Sequence, residues 1–328
     1  MRTKIDTKIF YLRFLLLLLP ALISSCQHDE ADGDSQVNIM TEITLNMPFI
    51  ALAGNNTRAP GTYNHRLTAI AYEGKSEVAR QVLYAEVHPA QSSVSLPISM
   101  KLHARKYKLV VWADYALQEA ESYTPFYDTS NIERIQRVGS YKGNSLYYDA
   151  FYGATTLDLT PYADQPEVKV PVEVTMNRPL ARYDLIATDV EKFLQKIEDK
   201  EITGSKFTLS VKYGYYLTTG FNALTGQVKH PMQYISYSKS IDTPTADTKE
   251  LNVGFDYVLV NGEGSFVSLT IEITNEKNQV VARYRDLKIP YEQNHLTTIR
   301  GKFLTANPGI DIDTDFDDDI IVDLDRLN

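Results

Sequence analysis

The chain has 328 residues, a net charge of −9 at neutral pH and 22 tyrosines, but a single cysteine. This length exceeds one ordinary hydrophobic core and suits two domains. The negative charge argues against nucleic acid as a partner, because a phosphate-binding surface needs clustered lysine and arginine. A single cysteine excludes disulfides within the chain and thiolate metal sites.

The N-terminus has the pattern of a secretory signal. Basic residues up to Arg13 flank a short apolar run over 14–23, and small residues then lead to Cys26. The run is shorter than the ~20 residues that a membrane-spanning helix needs. Residues 23–26 resemble the lipobox of bacterial lipoproteins, in which the cysteine is acylated before cleavage. We therefore predict a signal peptide over 1–25 and lipidation of Cys26; the alternative is an ordinary signal peptide with an incidental cysteine.

Residues 26–36 form an acidic stretch that predicts a flexible tether. The stretch also resembles the signal that directs lipoproteins of Bacteroidales to the outer face of the outer membrane. This predicts a lipid-anchored protein exposed on the cell outer membrane. A solvated linker without a targeting role is the alternative.

Alternating apolar residues predict strands along most of the chain. Over 37–49 the odd positions are apolar or threonine and the even positions are mostly polar, which is typical of a strand with one buried face. The other predicted strands cover 67–72, 78–87, 93–98, 107–113, 167–176, 183–188, 207–216, 251–260, 265–274, 280–289 and 296–304. Asn261 and Gly262 predict a hairpin turn between two of them.

Two capping boxes predict helices. One opens at Thr188 and precedes an amphipathic segment of three turns, which ends before Gly204. The other opens at Ser130 and predicts a shorter helix that continues through Ile135 to about Val138.

The fold predicted from these elements is all-β with minor helix, as two antiparallel β-sandwich domains in tandem. Pro179 interrupts strand pairing near residues 176–179 and marks the boundary. The predicted N-terminal domain covers 37–176, and the predicted C-terminal domain covers 177–328.

Motifs of catalysis and of cofactor binding are missing from the sequence. It has no zinc-protease, nucleophile-elbow, phosphate-loop or dinucleotide-binding pattern, and its six histidines are scattered. Asp311, Asp313 and Asp315 match the start of a calcium loop, but Phe316 occupies the glycine position and Val322 the position of the bidentate glutamate. We therefore predict no enzyme, no catalytic residue, no metal site and no cofactor.

Two segments are candidates for an assembly function. The loop 55–61 is polar and rich in turn formers, as protease-sensitive loops are, and Arg58 is its candidate cleavage residue. The acidic C-terminal tail carries an apolar row on even positions. Its members are Ile310, Ile312, Phe316, Ile320 and Val322. The tail is either a strand donated to another subunit or the last strand of its own domain, and the loop is either a cleavage site or a plain loop.

Residues 177–188, 294–304 and 107–115, together with the signal and lipobox, resemble the fimbrillin-like lipoproteins of Bacteroidales. The resemblance implies transthyretin-like β-sandwiches and subunits of type V pili that assemble without nucleotide or catalytic site. It also implies that an arginine-specific protease removes the first strand, and that a strand from another subunit replaces it. The implied partners are other pilus subunits, the outer membrane through the lipid anchor, and host surface proteins or glycans.

A glycan-binding surface lipoprotein is the alternative function. Exposed tyrosines or Trp112 would stack on sugar rings in such a protein. Trp112 lies within an apolar strand and is therefore expected in the core. Aromatic residues clustered on an exposed face would favour glycan binding, whereas an N-terminal strand bracketed by two sheet strands would favour a pilus subunit.

Overall fold

The computed structural model describes residues 36–45, 62–85, 94–260, 265–306 and 317–323. Over these ranges the first strands are β1 (Gln36–Leu45), β2 (Thr62–Glu73), β3 (Ser76–Ala85), β4 (Val94–His103), β5 (Lys106–Glu119), β6 (Ser122–Pro125), β7 (Tyr127–Asp128), β8 (Ile135–Arg137), β9 (Phe151–Asp158) and β10 (Glu167–Val174). The later elements are β11 (Leu180–Ala187), helix α1 (Val190–Glu198), β12 (Lys206–Tyr213), β13 (Leu217–Asn222), β14 (Gln227–Met232), β15 (Ser236–Asp242), β16 (Leu251–Leu259), β17 (Ser265–Asn275), β18 (Val280–Tyr291), β19 (His295–Gly301) and β20 (Asp317–Asp323).

The first half of the chain forms a sandwich of two sheets. One has the order β10-β1-β4, and the other has the order β3-β2-β5-β6 with β9 also paired to β5. Buried residues of both sheets pack into one cluster, with Met100 and Val172 from the first sheet and Leu67, Leu109 and Val111 from the second. The alternation seen in the sequence supplies one apolar face to each layer.

The second half forms another sandwich, with sheets β16-β11-β19-β20 and β15-β12-β17-β18. Its core joins Leu185 and Ile299 of one sheet to Leu209 and Ile271 of the other. Helix α1 closes one side of this core, because its buried Phe193 contacts the Phe207 ring edge to face at 5.0 Å between centroids.

A small third sheet, β14-β13-β8-β7, joins segments from both halves of the chain. A third core cluster lies beside it and contains Trp112 from β5, Phe221 from β13 and Leu259 from β16. The predicted boundary near residues 176–179 therefore separates two sandwiches that share buried contacts. The assignment of two domains, 37–176 and 177–328, stays a prediction.

The predicted fold class is confirmed: the described residues form sheets packed as sandwiches and one α-helix. Two strand pairs are parallel, β1 with β10 and β11 with β19, so two of the sheets are mixed. Trp112 is fully buried, as expected, and lies edge to face with Tyr127 at 5.4 Å. The predicted turn at Asn261 and Gly262 lies outside the described residues.

The two helix predictions had different outcomes. Helix α1 is present, but the Asp189 carboxylate before it accepts bonds from the backbone of Leu304 and Thr305 and not from the helix itself. The predicted helix through Val138 is wrong beyond one 3-10 turn at Ile132–Arg134. Ile135 is completely buried and pairs with Phe221, so sheet pairing replaces helix at that point.

Candidate strand-exchange site

The N-terminal strand β1 is the middle strand of its sheet. It runs parallel to β10 on one side and antiparallel to β4 on the other. Ile39 is the Cα partner of Met100 and Val168, and Ile43 is the Cα partner of Leu96 and Val172. Directly paired residues lie on the same face of a sheet. The odd positions of β1 therefore share the face of the sheet to which Met100 and Val172 belong.

The two strands that flank β1 have one apolar and one polar face. On the inner face Ile98 and Met100 of β4 and Val172 of β10 are buried in the N-terminal core. On the outer face Lys101 and Lys169 are solvent-accessible. A strand between them must therefore alternate in the same way, which the sequence of β1 does.

Prolines interrupt the outer edges of this sheet. Ser99 donates its backbone N–H to the Gln81 Oε1 at 2.6 Å, so the odd residues of β4, including Pro97, turn their backbone groups away from β1. Glu42 is the Cα partner of both Pro97 and Pro171. Since Glu42 is not bonded to Pro97, the backbone groups of Glu42 face β10 and bond to the residues on either side of Pro171. The backbone of Pro171 itself therefore faces the outer edge of β10.

The position of β1 between β4 and β10 can accept a strand more readily than the outer edges of β4 and β10. Proline cannot donate a backbone hydrogen bond, and on an edge strand it opposes the addition of a further strand. Both outer edges carry a proline midway along the strand, at Pro97 and Pro171. The two edges that face β1 carry none over the paired residues.

The predicted site residues fall mostly outside the part of the chain that the structure describes. Cys26, Arg58, Ile310, Ile312 and Phe316 belong to the stretches that are not described. Arg58 stands in the sequence between β1 and β2, whose last and first residues are Leu45 and Thr62.

The end of the tail forms β20 at the edge of the sheet β16-β11-β19-β20, where it pairs with β19. Ile320 is the Cα partner of half-buried Thr298, and Ile321 is the partner of Thr297, which is fully buried. Val322 is paired with Leu296. Within one chain the tail and the β1 site therefore belong to different sandwiches.

Sequence reasoning identified β1 and the two strands that flank it, but it did not predict that these strands pair with β1. The row of valines at 168–174 was visible as a strand, yet nothing local indicated that it pairs with residues more than a hundred positions earlier. Two prolines at matching positions, Pro97 and Pro171, were the available signal for a protected edge.

Neither metal ligands nor a membrane helix was found in the described ranges. No group of three or more histidine, cysteine, aspartate or glutamate residues is placed there to hold a metal ion. Likewise, none of the helices in those ranges is long and apolar enough to cross a membrane.

Several solved structures are similar to the chain. A protein from Bacteroides ovatus, proposed to act in cell adhesion, has 12% identity and a TM-score of 0.42, with 88% of this chain and 95% of the other covered. A fimbrial assembly protein from Parabacteroides distasonis has 13% identity and a TM-score of 0.38, with 81% and 91% covered. A fimbrial anchor protein from Porphyromonas gingivalis has 9% identity and a TM-score of 0.39, with 80% and 90% covered.

These three proteins come from Bacteroidales bacteria. No curated protein matches the chain. The model of one protein family, described as a family of unknown function (DUF6562), matches residues 32–326, which is nearly the whole sequence. The chain belongs to this family of unknown function.

Proposed function

We propose that the chain is a surface lipoprotein that acts as a structural or accessory subunit of a type V pilus and assembles by strand exchange. The observation that carries this proposal is the position of β1, an N-terminal strand held between β4 and β10. Such a strand lies ahead of all the other described strands in the sequence, so its removal leaves β2 to β20 in one covalently continuous chain.

Cleavage after Arg58 would cut the covalent link between β1 and the strands that follow it. The strand would then be held by hydrogen bonds and side-chain packing alone. Its departure would leave two facing edges of unpaired backbone groups above a row of buried residues, which is the kind of site that a replacement strand fills.

The replacement strand must match β1 in pattern. Val37, Ile39, Ile43 and Leu45 are the large apolar residues at odd positions of β1. Burial of four such side chains contributes about 6–12 kcal/mol before the cost of ordering the strand. The outer prolines direct an incoming strand to this central position.

Lipidation of Cys26 and the acidic tether over 26–36 would anchor the uncleaved chain to the outer face of the outer membrane. After cleavage the lipid would stay on the fragment that carries β1. Its partners would be other pilus subunits, and no catalytic residue, cofactor or nucleic acid is part of the proposal. Contacts with host surface proteins or glycans would be made by the assembled filament.

A reversible disulfide between β1 and β4 tests strand exchange directly. Asn38 and Lys101 are Cα partners in a pair without hydrogen bonds between them, where Cα atoms are about 4.5 Å apart and a disulfide can form. We expect the oxidised N38C/K101C chain to be cleaved by the protease but to stay out of filaments, because β1 cannot leave. A reductant should restore assembly.

The matched control joins two strands that are expected to stay together. Ser210 and Ser238 are Cα partners in β12 and β15, with their Oγ atoms 3.2 Å apart. The S210C/S238C chain should assemble under both conditions. Filaments formed by the oxidised N38C/K101C chain would contradict strand exchange.

A further inference from the structure

A crevice opens where two strands of the third sheet separate. β8 and β13 pair at Gln136 and Gly220, and beyond this point β8 diverges because Val138 donates its N–H to the Phe126 carbonyl at 2.9 Å. The chain then turns at Gly139, which has a φ of +75°. The space between the diverging segment and β13 has a volume of about 360 Å³.

The crevice has a mixed lining, with apolar Met232, Ile235 and Leu259 beside polar side chains. Arg134, Gln136 and Ser140 line one side, while the hydroxyl-bearing Thr218 and Thr219 line the other. None of the lining residues is acidic. The Thr218 and Thr219 hydroxyls already donate to backbone carbonyls, so they can only accept from a ligand. The donors left for a polar ligand are Arg134, Gln136 and Ser140, and no lining carboxylate would repel an anion.

The two arginines of the crevice differ in whether they form an ion pair. Arg137 pairs with buried Asp256 at 3.1 Å and donates to the Tyr257 carbonyl at 2.6 Å. Arg134 is exposed and forms no ion pair with any residue that the structure describes. Desolvation lowers the pKa of His230, and the positive charges of Arg134 and Lys229 lower it further. An unneutralised guanidinium thus stands at the mouth of the crevice.

Two exposed tyrosines stand close in the chain to residues that line the crevice: Tyr216 precedes Thr218 by two positions, and Tyr234 lies between Met232 and Ile235. Backbone pairing of Leu217 with Met232 brings the turn before β13 against the turn after β14. Tyr216 and Tyr234 in these turns are 65% and 92% exposed. Tyr234 also has a φ of +60° in the turn between β14 and β15, a conformation that is uncommon for bulky side chains.

We propose that this crevice binds an acidic saccharide. Its carboxylate pairs with the Arg134 guanidinium, whose planar fork matches a carboxylate, and a sugar ring stacks on the exposed tyrosines. The volume lies at the lower end of the range for small-ligand pockets, which suits one or two sugar rings. A bound peptide strand is disfavoured, because β13 has an open edge only at Leu217, Thr218 and Thr219.

Binding is measured by calorimetry on the purified monomer, so the result does not depend on strand exchange. The probes are trigalacturonate and the neutral galactotriose. We expect tighter binding of trigalacturonate and a loss of at least about tenfold in its affinity in the Arg134→Gln variant, with galactotriose unaffected. Tyr234→Ser should weaken both probes by about two- to tenfold.

Matched controls separate the site from general charge and surface effects. Lys277→Gln removes one exposed cation from the turn between β17 and β18, and Tyr84→Ser removes an exposed tyrosine from β3. Both control variants should bind trigalacturonate like the parent. Equal affinity for the two probes, no binding of trigalacturonate, or unchanged binding by Arg134→Gln would overturn the proposal.

Discussion

Replacing Ile39 and Ile43 together by alanine tests whether β1 belongs to the N-terminal core. The register pairs these residues with Met100 and Val172, which are 6% and 8% exposed. A buried isoleucine replaced by alanine costs about 2–5 kcal/mol. The two positions lie about 13 Å apart along the strand, so their effects should add to about 4–10 kcal/mol.

Chemical denaturation followed by tryptophan fluorescence measures this loss. Trp112, the single tryptophan, belongs to β5 of the N-terminal sandwich, and its fully buried ring in the third core cluster reports on whether β5 is folded. The control variant M40A/E42A changes the opposite face of β1 and should shift the free energy of unfolding by no more than about 0.5 kcal/mol per site. Equal unfolding midpoints for the two double variants would refute the placement of the odd row in the core.

Three further predictions concern the anchor, the surface location and the C-terminal core. Cys26→Ala should abolish lipid labelling and leave the signal peptide attached, and normal labelling would contradict lipidation. Protease added to intact cells should digest the chain, whereas digestion only after lysis would exclude surface display. Arg137→Met should lower the free energy of unfolding by about 3–5 kcal/mol in a thermal melt, because the paired Asp256 is completely buried. The control Arg283→Met breaks the more accessible pair with Glu272 and should lower it by under about 1 kcal/mol.

The strands that the sequence predicted are those with strong alternation. The odd row of 37–49 and the valine row of 167–176 became β1 and β10. Two of the segments that were missed lack such a pattern: β14 is exposed or half-buried along its length, and β7 has only two residues. Short or two-sided polar strands leave no periodic signal, because neither face has to be apolar.

The wrong helix shows how tertiary burial overrides a local signal. The sequence placed the cap at Ser130, but Asn131, one residue later, caps the 3-10 turn through its side chain. The continuation failed because Ile135 enters the third core cluster and pairs with Phe221 from the other half of the chain. A capping box specifies where a helix can begin, and distant partners decide how far it extends.

The strand-exchange site could be predicted only in part for a similar reason. The sequence of β1 shows its two faces, but the pairing with β10 joins Asn38 to Glu167 in a parallel register that no local pattern encodes. The crevice near Arg134 was missed completely, since its residues come from β8, β13, β14 and β16 and meet only in the folded chain.

The tail permits the sharpest test of how subunits are joined. As an edge strand, β20 is held by β19 alone, so its release breaks one ladder and not two. If the tail is donated to another subunit, I312D/F316D, which changes residues before β20, should leave the unfolding temperature unchanged and stop filament formation. Ile321→Asp should instead destabilise the monomer, because the register pairs Ile321 with fully buried Thr297 and a charge there lacks a partner. An I312D/F316D chain that melts early would identify the tail as the closing strand of its own domain, and one that still forms filaments would exclude these residues from the donated strand.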